Sequence, residues 1–175
     1  MTTRATTLYS TTHPSPVGPL TIVASDLGVR AVLWPDDSDV RVPSANDPVP
    51  VDASDHPVLA VVTAELDEYF AGGRQHFDVP LDPVGTDFQQ AAWRALLTIP
   101  FGETVSYGEQ AERMGDKRKA RAVGAANGRN PISIVVPCHR VVGANGSLTG
   151  FAGGIDIKAW LLQHEASTAG TTLPF

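Results

Sequence analysis

Apolar positions in the first third of the chain come in three short runs, residues 8–12, 20–24 and 29–34, separated by Pro16-Val17-Gly18-Pro19 and Asp26-Leu27-Gly28. Short apolar runs divided by Pro and Gly turn chemistry predict a small antiparallel meander. Residues 35–55 are loaded with Pro, Asp, Ser and Asn and show no period, which predicts a long surface loop free to move. The spacing then becomes helical. Pro57 suits a first helical position, Leu59, Val62, Leu66, Tyr69 and Phe70 share a face, and Gly72-Gly73 supplies the stop. Residues 77–83 read as a strand or connector into the second half.

From Thr86 the pattern becomes helical and more specific. Thr86 with Gln89 has capping-box spacing, and Phe88, Ala92, Ala95, Leu96 and Ile99 recur on one face until Pro100 and Gly102. Ser106 with Glu109 repeats the signature ahead of a short helix ended by Gly115, and a third helix is expected from about Lys117 to Asn127. Two short helices about a glycine turn form a helix-turn-helix candidate. On the third helix Ala120, Val123 and Gly124 would face inward, while Arg118, Arg121, Ala122, Ala125 and Arg129 make a face that is basic yet built on small residues. Such a face is either a solvated surface or one laid closely against nucleic acid. From Asp156 onward Ile157, Trp160, Leu161 and His164 take helical spacing, with Glu165 beside them.

Composition narrows the class. The chain has 175 residues, one cysteine and five histidines without metal-ligand spacing, so disulfide scaffolds and four-cysteine zinc sites are excluded. No run approaches a membrane span, which points to a soluble cytoplasmic protein without a membrane partner. The net charge of -6 is uneven: residues 1–83 hold 4 basic and 12 acidic side chains, residues 84–175 hold 9 and 7. A local basic surface can therefore meet phosphate on an acidic protein.

The lone thiol sits in Val136-Pro137-Cys138-His139-Arg140-Val141. A buried cysteine can be simple packing, but an adjacent base and an adjacent cation are the surroundings that make thiolate available. Neighbouring side chains diverge, so a water-bridged link from Cys138 to His139 or a sharp turn is expected rather than a direct bond. Glu165, a carboxylate on a largely apolar helix face, is the candidate orienter of that histidine. The glycine-rich segment 143–154 has no GK[ST] ending and is not a P-loop. It reads either as a hairpin about Asn145-Gly146 or as a loop whose backbone groups and Phe151 line a pocket beside the thiol. Ala144 stands where a phosphatase loop would need arginine.

Pro-Cys-His-Arg-Val at 137–141, downstream of Arg121-Ala-Val-Gly124 and Asn130-Pro131 and upstream of Gly153-Gly154 and residues 161–165, resembles the O6-alkylguanine-DNA alkyltransferases, the methylated-DNA-protein-cysteine methyltransferases, of the stand-alone bacterial type. The resemblance covers about residues 86–166. It implies an α+β architecture: a ribonuclease-H-like α/β domain over 1–84, with a small antiparallel sheet, a helix and the 35–55 loop; a mostly helical domain with the helix-turn-helix over 85–166; and a tail over 167–175. Position by position it makes Cys138 the alkyl acceptor, His139 and Glu165 its activating relay, and Asn130 the organiser of the turn holding the site. It makes Tyr107 the phenol that contacts the guanine and supplies its proton. Arg121 becomes the finger replacing an extruded nucleotide, its helix in the minor groove with Arg118, Ala122 and Ala125 on the same DNA face. The carbonyls of Cys138 and Val141 would read the guanine amino group, and Phe151, Ala152 and Gly153 would flank the base. Some relatives carry tyrosine and serine where this chain has Phe151 and Ala152, leaving backbone N–H groups to contact O6.

The implied activity is single-turnover repair of O6-alkylguanine, and of O4-alkylthymine, in double-stranded DNA after base flipping. The alkyl group ends on sulfur as a stable thioether, no cofactor or metal is needed, and the protein is expected to be a monomer able to assemble cooperatively on DNA. Three other classes compete. A DNA-binding module needs no thiol, a cysteine hydrolase needs an oxyanion hole and repeated turnover, and a redox sensor oxidises without DNA.

Overall fold

In the computed structural model, which describes residues 6–37 and 47–173, the chain divides into two compact units, residues 1–84 and 85–175. The first unit is built on the expected meander. Strands β1 (Tyr9–His13), β2 (Leu20–Ala24) and β3 (Val29–Leu33) pair antiparallel, from Tyr9 opposite Ala24 to Thr21 opposite Leu33. Leu20, Ile22 and Ala24 alternate with Val23 along β2, so both faces of this central strand are buried, as period-2 geometry requires.

The 35–55 segment departs from the pure loop expected of it. Val49–Pro50 (β4) adds to the sheet parallel to β1, giving the order β3-β2-β1-β4, and a 3-10 turn follows at Ala53–Asp55. Main-chain bonds from Val49 N to the Leu8 carbonyl (2.8 Å) and from Val51 N to the Ser10 carbonyl (2.9 Å) suffice for this edge. Two exposed residues, one a proline without an N–H, carry no side-chain periodicity for a sequence pattern to detect. Residues 38–46 of that segment, where the expected movement falls, lie outside the described residues.

Helix α1 (Pro57–Phe70) begins at the proline and buries Leu59, Val62, Leu66 and Tyr69. Its buried Glu65 accepts from the N–H groups of Asp78 and Val79 (3.1–3.3 Å), which captures the following segment. Residues 77–83 are a connector bearing a single bridge between Leu81 and Val29. A Cβ at Gly28 would lie 2.6 Å from the Pro80 carbonyl oxygen, so this crossing needs glycine.

In the second unit both capping boxes form as spaced. Thr86 and Gln89 open α2 (Asp87–Leu96), and Ser106 and Glu109 open α3 (Tyr107–Arg113). Helix α2 stops before Pro100, and its buried side includes Trp93, absent from the apolar face read from the sequence, whose indole N–H donates to the Ala126 carbonyl at 2.9 Å. The third helix is broken: a 3-10 turn at Lys117–Lys119, capped by Asp116, precedes α4 (Ala120–Gly128). Helices α3 and α4 pack as the helix-turn-helix, joined by a reciprocal amide pair, Gln110 Nε2 to Asn127 Oδ1 (3.0 Å) and Asn127 Nδ2 to Gln110 Oε1 (2.7 Å). The buried side of α4 is Val123, Ala126 and Asn127; Ala120 and Gly124, expected inside, are half-buried.

Helix α5 (Ile155–Ala169) runs past the expected start of a tail at 167 and ends at Gly170, whose φ is 72°. Its buried stripe is Lys158, Leu161, Leu162, Glu165 and Ala166. Trp160 and His164, placed on the inner face by the sequence reading, instead stack on each other toward the outside, with ring centroids 5.1 Å apart. An apolar tryptophan pulled the inferred face round the helix. No helix among the described residues is long and apolar enough to cross a membrane.

Candidate active site

The cysteine lies on a 3-10 turn, Cys138–Arg140, immediately before a two-residue strand β6 (Val141–Val142) that pairs parallel with β5 (Val105–Ser106). The partner of β6 is therefore not the segment after it, and 143–154 is no hairpin. It is a loop with a tight turn at its base, where Gly143 N donates to the Ser147 carbonyl at 2.8 Å. Ahead of the cysteine, fully buried Asn130 braces its own turn: Nδ2 donates to the Val136 carbonyl (2.8 Å) and Oδ1 accepts from Ile132 N (3.0 Å). The enclosed Ile134 has φ of 72°, a left-handed conformation that a β-branched residue adopts only where surrounding contacts impose it.

His139 and Glu165 are completely buried and 2.7 Å apart, imidazole Nε2 to carboxylate Oε2. The other ring nitrogen, Nδ1, is buried and has no hydrogen-bond partner among the described residues. Arg140 approaches the same carboxylate from a second direction, Nε to Oε1 at 2.7 Å and Nη2 to Oε2 at 3.1 Å, while its Nη1 donates to the Ile99 carbonyl and its guanidinium lies over Phe101. The cation read from the sequence as a thiolate neighbour is thus bound to Glu165.

Electrostatics follow from this packing. Burial pushes the His139 imidazole below its ordinary value; Glu165 opposes that shift, and the positive charges of Arg140 and Lys158 reinforce it. Burial alone would raise the Glu165 carboxyl, but the charge and hydrogen bonds of His139 and Arg140 hold it far below the usual carboxylate range. We therefore assign an ionised Glu165 accepting from Nε2–H of a neutral His139, which leaves the Nδ1 lone pair available as a base.

Sequence reasoning missed Lys158. It is 1% exposed, and its ammonium donates to the carbonyls of Val141 (2.7 Å) and Thr149 (3.1 Å). Burial lowers its pKa, and the interaction with Cys138 works against that lowering, which places the lysine charge within electrostatic reach of the sulfur. Its signal was available: Lys158, Leu161, Leu162 and Glu165 form the i, i+3, i+4, i+7 stripe of one face. The Val141 carbonyl, expected to read a base, already accepts from this lysine.

Tyr107, first residue of α3, is half-buried; its hydroxyl lies 2.9 Å from Thr149 Oγ1, and a Cβ on Gly124 would stand 3.6 Å from its ring. Phe151 and Gly153 are half-buried and Ala152 exposed in a turn closed by Gly154 N to the Phe151 carbonyl. Arg118, Arg121, Ala122, Ala125 and Arg129 are all exposed along α4 and the turn before it. Arg118 is nevertheless engaged, its Nε and Nη2 donating to the Asp116 carboxylate at 3.0 and 3.2 Å.

Comparison with known proteins identifies the class. Residues 87–167 match the family model for the 6-O-methylguanine DNA methyltransferase DNA binding domain, and residues 8–83 match that for the ribonuclease-like domain of the same family. The methylated-DNA–protein-cysteine methyltransferase of Methanosarcina acetivorans is 43% identical over 161 residues, covering 91% of this chain and 99% of that relative. The Mycobacterium tuberculosis protein of the same name is 47% identical over 172 residues, covering 95% and 97%. Among solved structures, M. tuberculosis O6-methylguanine methyltransferase superposes with a TM-score of 0.80 at 45% identity, covering 92% of this chain and 94% of that one. The M. tuberculosis OGT structure in complex with DNA gives 0.82 at 46%, covering 91% and 94%. The chain belongs to the 6-O-methylguanine DNA methyltransferase family, and its α+β architecture is that of these relatives.

Proposed function

We propose that this chain repairs O6-alkylguanine, and O4-alkylthymine, in duplex DNA by moving the alkyl group irreversibly onto Cys138. The observation that carries the residue-level reading is the orphaned, buried Nδ1 of His139, left as a proton acceptor by the Nε2 bond to Glu165. A water between Nδ1 and the thiol would take the sulfur's proton to the imidazole. The thiolate then attacks the alkyl carbon, a C–S bond forms, and the C–O6 bond breaks with its electron pair passing to guanine. Tyr107 supplies the proton that makes the base a neutral leaving group; after release solvent takes the extra proton from the His139 imidazolium and returns one to the Tyr107 phenolate, so no proton is gained or lost overall. No thiol remains to resolve the thioether, so each molecule acts once.

Flipping the nucleotide out of the stack costs a few kcal/mol, less for a weakened alkylated pair. The small, basic surface of α4 fits close approach to a minor groove, with Arg121 standing in for the extruded base and Arg118 exchanging Asp116 for phosphate. Phe151, Ala152 and Gly153 are assigned to the wall of the base pocket and Asn130 to the support of the cysteine turn. A reducing cytoplasm suits a lone reactive thiol, and the protein is read as a monomer capable of cooperative assembly on DNA. Incubation with an O6-methylguanine duplex should add one methyl group to Cys138, located by peptide mass mapping. An unmodified cysteine, or release of product over many turnovers, would sink this reading.

A further inference from the structure

The 143–154 loop carries a residue that neither the sequence motifs nor the family resemblance singles out. Thr149 is bound on two sides: its carbonyl accepts from the ammonium of Lys158, which also holds the Val141 carbonyl beside the thiol turn, and its hydroxyl lies 2.9 Å from the hydroxyl of Tyr107. Lys158 is buried on the same stripe of α5 as Glu165, so the main chain of Thr149 is fastened to the block that carries the cysteine. Its side chain meanwhile reaches the first residue of α3, whose ring rests near Gly124 of α4. One threonine thus connects the phenol to the sulfur's surroundings.

The direction of that hydroxyl pair decides what Tyr107 can do. Each hydroxyl has one proton to give. If Tyr107 donated to Thr149, its proton would point away from a seated base. With Thr149 as donor, the phenolic proton is left to aim at the guanine, and the oxygen exposed by its departure keeps a hydrogen bond already in place. The bond is solvent-exposed in the free protein, where water competes with it; a base lying against the phenol would strip that water and strengthen it.

We propose that Thr149 is a positioning residue for alkyl transfer, donating to the Tyr107 oxygen so that the phenol's own proton is directed at the departing base. This rests on the function proposed above. As the C–O6 bond breaks, its electron pair goes to guanine, the Tyr107 proton goes to the guanine ring, and the phenolate retains the Thr149 hydrogen bond until solvent reprotonates it.

The test uses the full chain and single-turnover rates on free O6-benzylguanine and on O6-methylguanine duplex. Thr149→Val keeps the branched shape and removes the hydroxyl; it should slow transfer about fivefold on both substrates, the worth of one ordinary hydrogen bond. Thr149→Ser should recover most of the rate. In a Tyr107→Phe background, Thr149→Val should cause no further loss, because the hydroxyl then has no phenol to orient. A wild-type rate for Thr149→Val, failure of serine to rescue, or an undiminished loss without the phenol would overturn the assignment. Were the wild-type chain itself to transfer no alkyl group, the proposed function would fall, and this inference with it.

Discussion

His139 and Glu165 form a 2.7 Å pair inside the second unit with neither side chain exposed, and Arg140 grips the same carboxylate. A buried carboxylate with two cationic or donating partners is favourable only while all are present, because each desolvated group depends on the others.

Glu165→Gln should therefore weaken both fold and function. The amide keeps the shape but leaves the Arg140 charge buried against a neutral group, a loss of about 3 kcal/mol. Transfer should slow about a hundredfold as the imidazole loses its orienting carboxylate. Urea unfolding and single-turnover rates measure the two effects. An unchanged transfer rate would remove Glu165 from the relay.

Acid should act in two steps. His139 binds its proton below its ordinary value of 6.5 in the folded state, so as pH falls past 6.5 the unfolded chain protonates first and stability declines. Glu165, also lowered from an ordinary 4.5, contributes stability above that value and loses it as pH falls below. Unfolding free energies at a series of pH values should decline as pH falls below 6.5 and decline further below 4.5. The acid limb of the transfer rate should have its midpoint below 6.5, since the folded imidazole stays neutral to lower pH. Stability rising as pH falls from 7 to 5.5 would contradict the burial argument.

Lys158→Met replaces a buried ammonium with an apolar chain of similar length. Removing a positive charge near Cys138 disfavours thiolate, so alkylation of the cysteine by iodoacetamide should require higher pH. Transfer from free O6-benzylguanine should fall about tenfold, the effect of about one pKa unit. An unshifted pH profile for iodoacetamide would show that the lysine acts only as a tie between Val141 and Thr149.

Arg121→Ala separates the DNA face from the chemistry. Its side chain is exposed on α4 and takes no part in the His139, Arg140 and Glu165 cluster. Duplex repair should drop about tenfold, the scale of one lost contact of 1–3 kcal/mol that offsets base extrusion. Reaction with the free base should stay near the wild-type rate. Equal losses on both substrates would remove the finger role.

Local chemistry made the helices legible. Both capping boxes and the Pro57 start form where their spacing puts them, because a cap depends on residues three apart and little else. Of the candidate site, the pairing of Glu165 with His139 was legible, marked like the thiol proposed as nucleophile by a polar group in apolar surroundings. What escaped was set by tertiary contact. Val49–Pro50 becomes a strand through main-chain bonds to β1 alone, Trp160 looked like core yet faces outward, and Lys158 was hidden by the assumption that a lysine is solvated. The direction of Arg140 was likewise settled by Glu165, a helix away in sequence.

The 3-10 turn at Cys138–Arg140 advances about a third of a revolution per residue. Three consecutive side chains therefore leave the backbone in three directions, which lets the imidazole and guanidinium reach one carboxylate from different sides while the thiol is turned elsewhere. Such an arrangement depends on the number of residues in the turn as well as on their kinds: inserting or deleting one residue among the three would rotate every later side chain by that third of a turn and leave Glu165 facing the wrong groups. The contiguity of Cys-His-Arg is thus a geometric condition of the site, and a gapped version of the same three letters would not rebuild it.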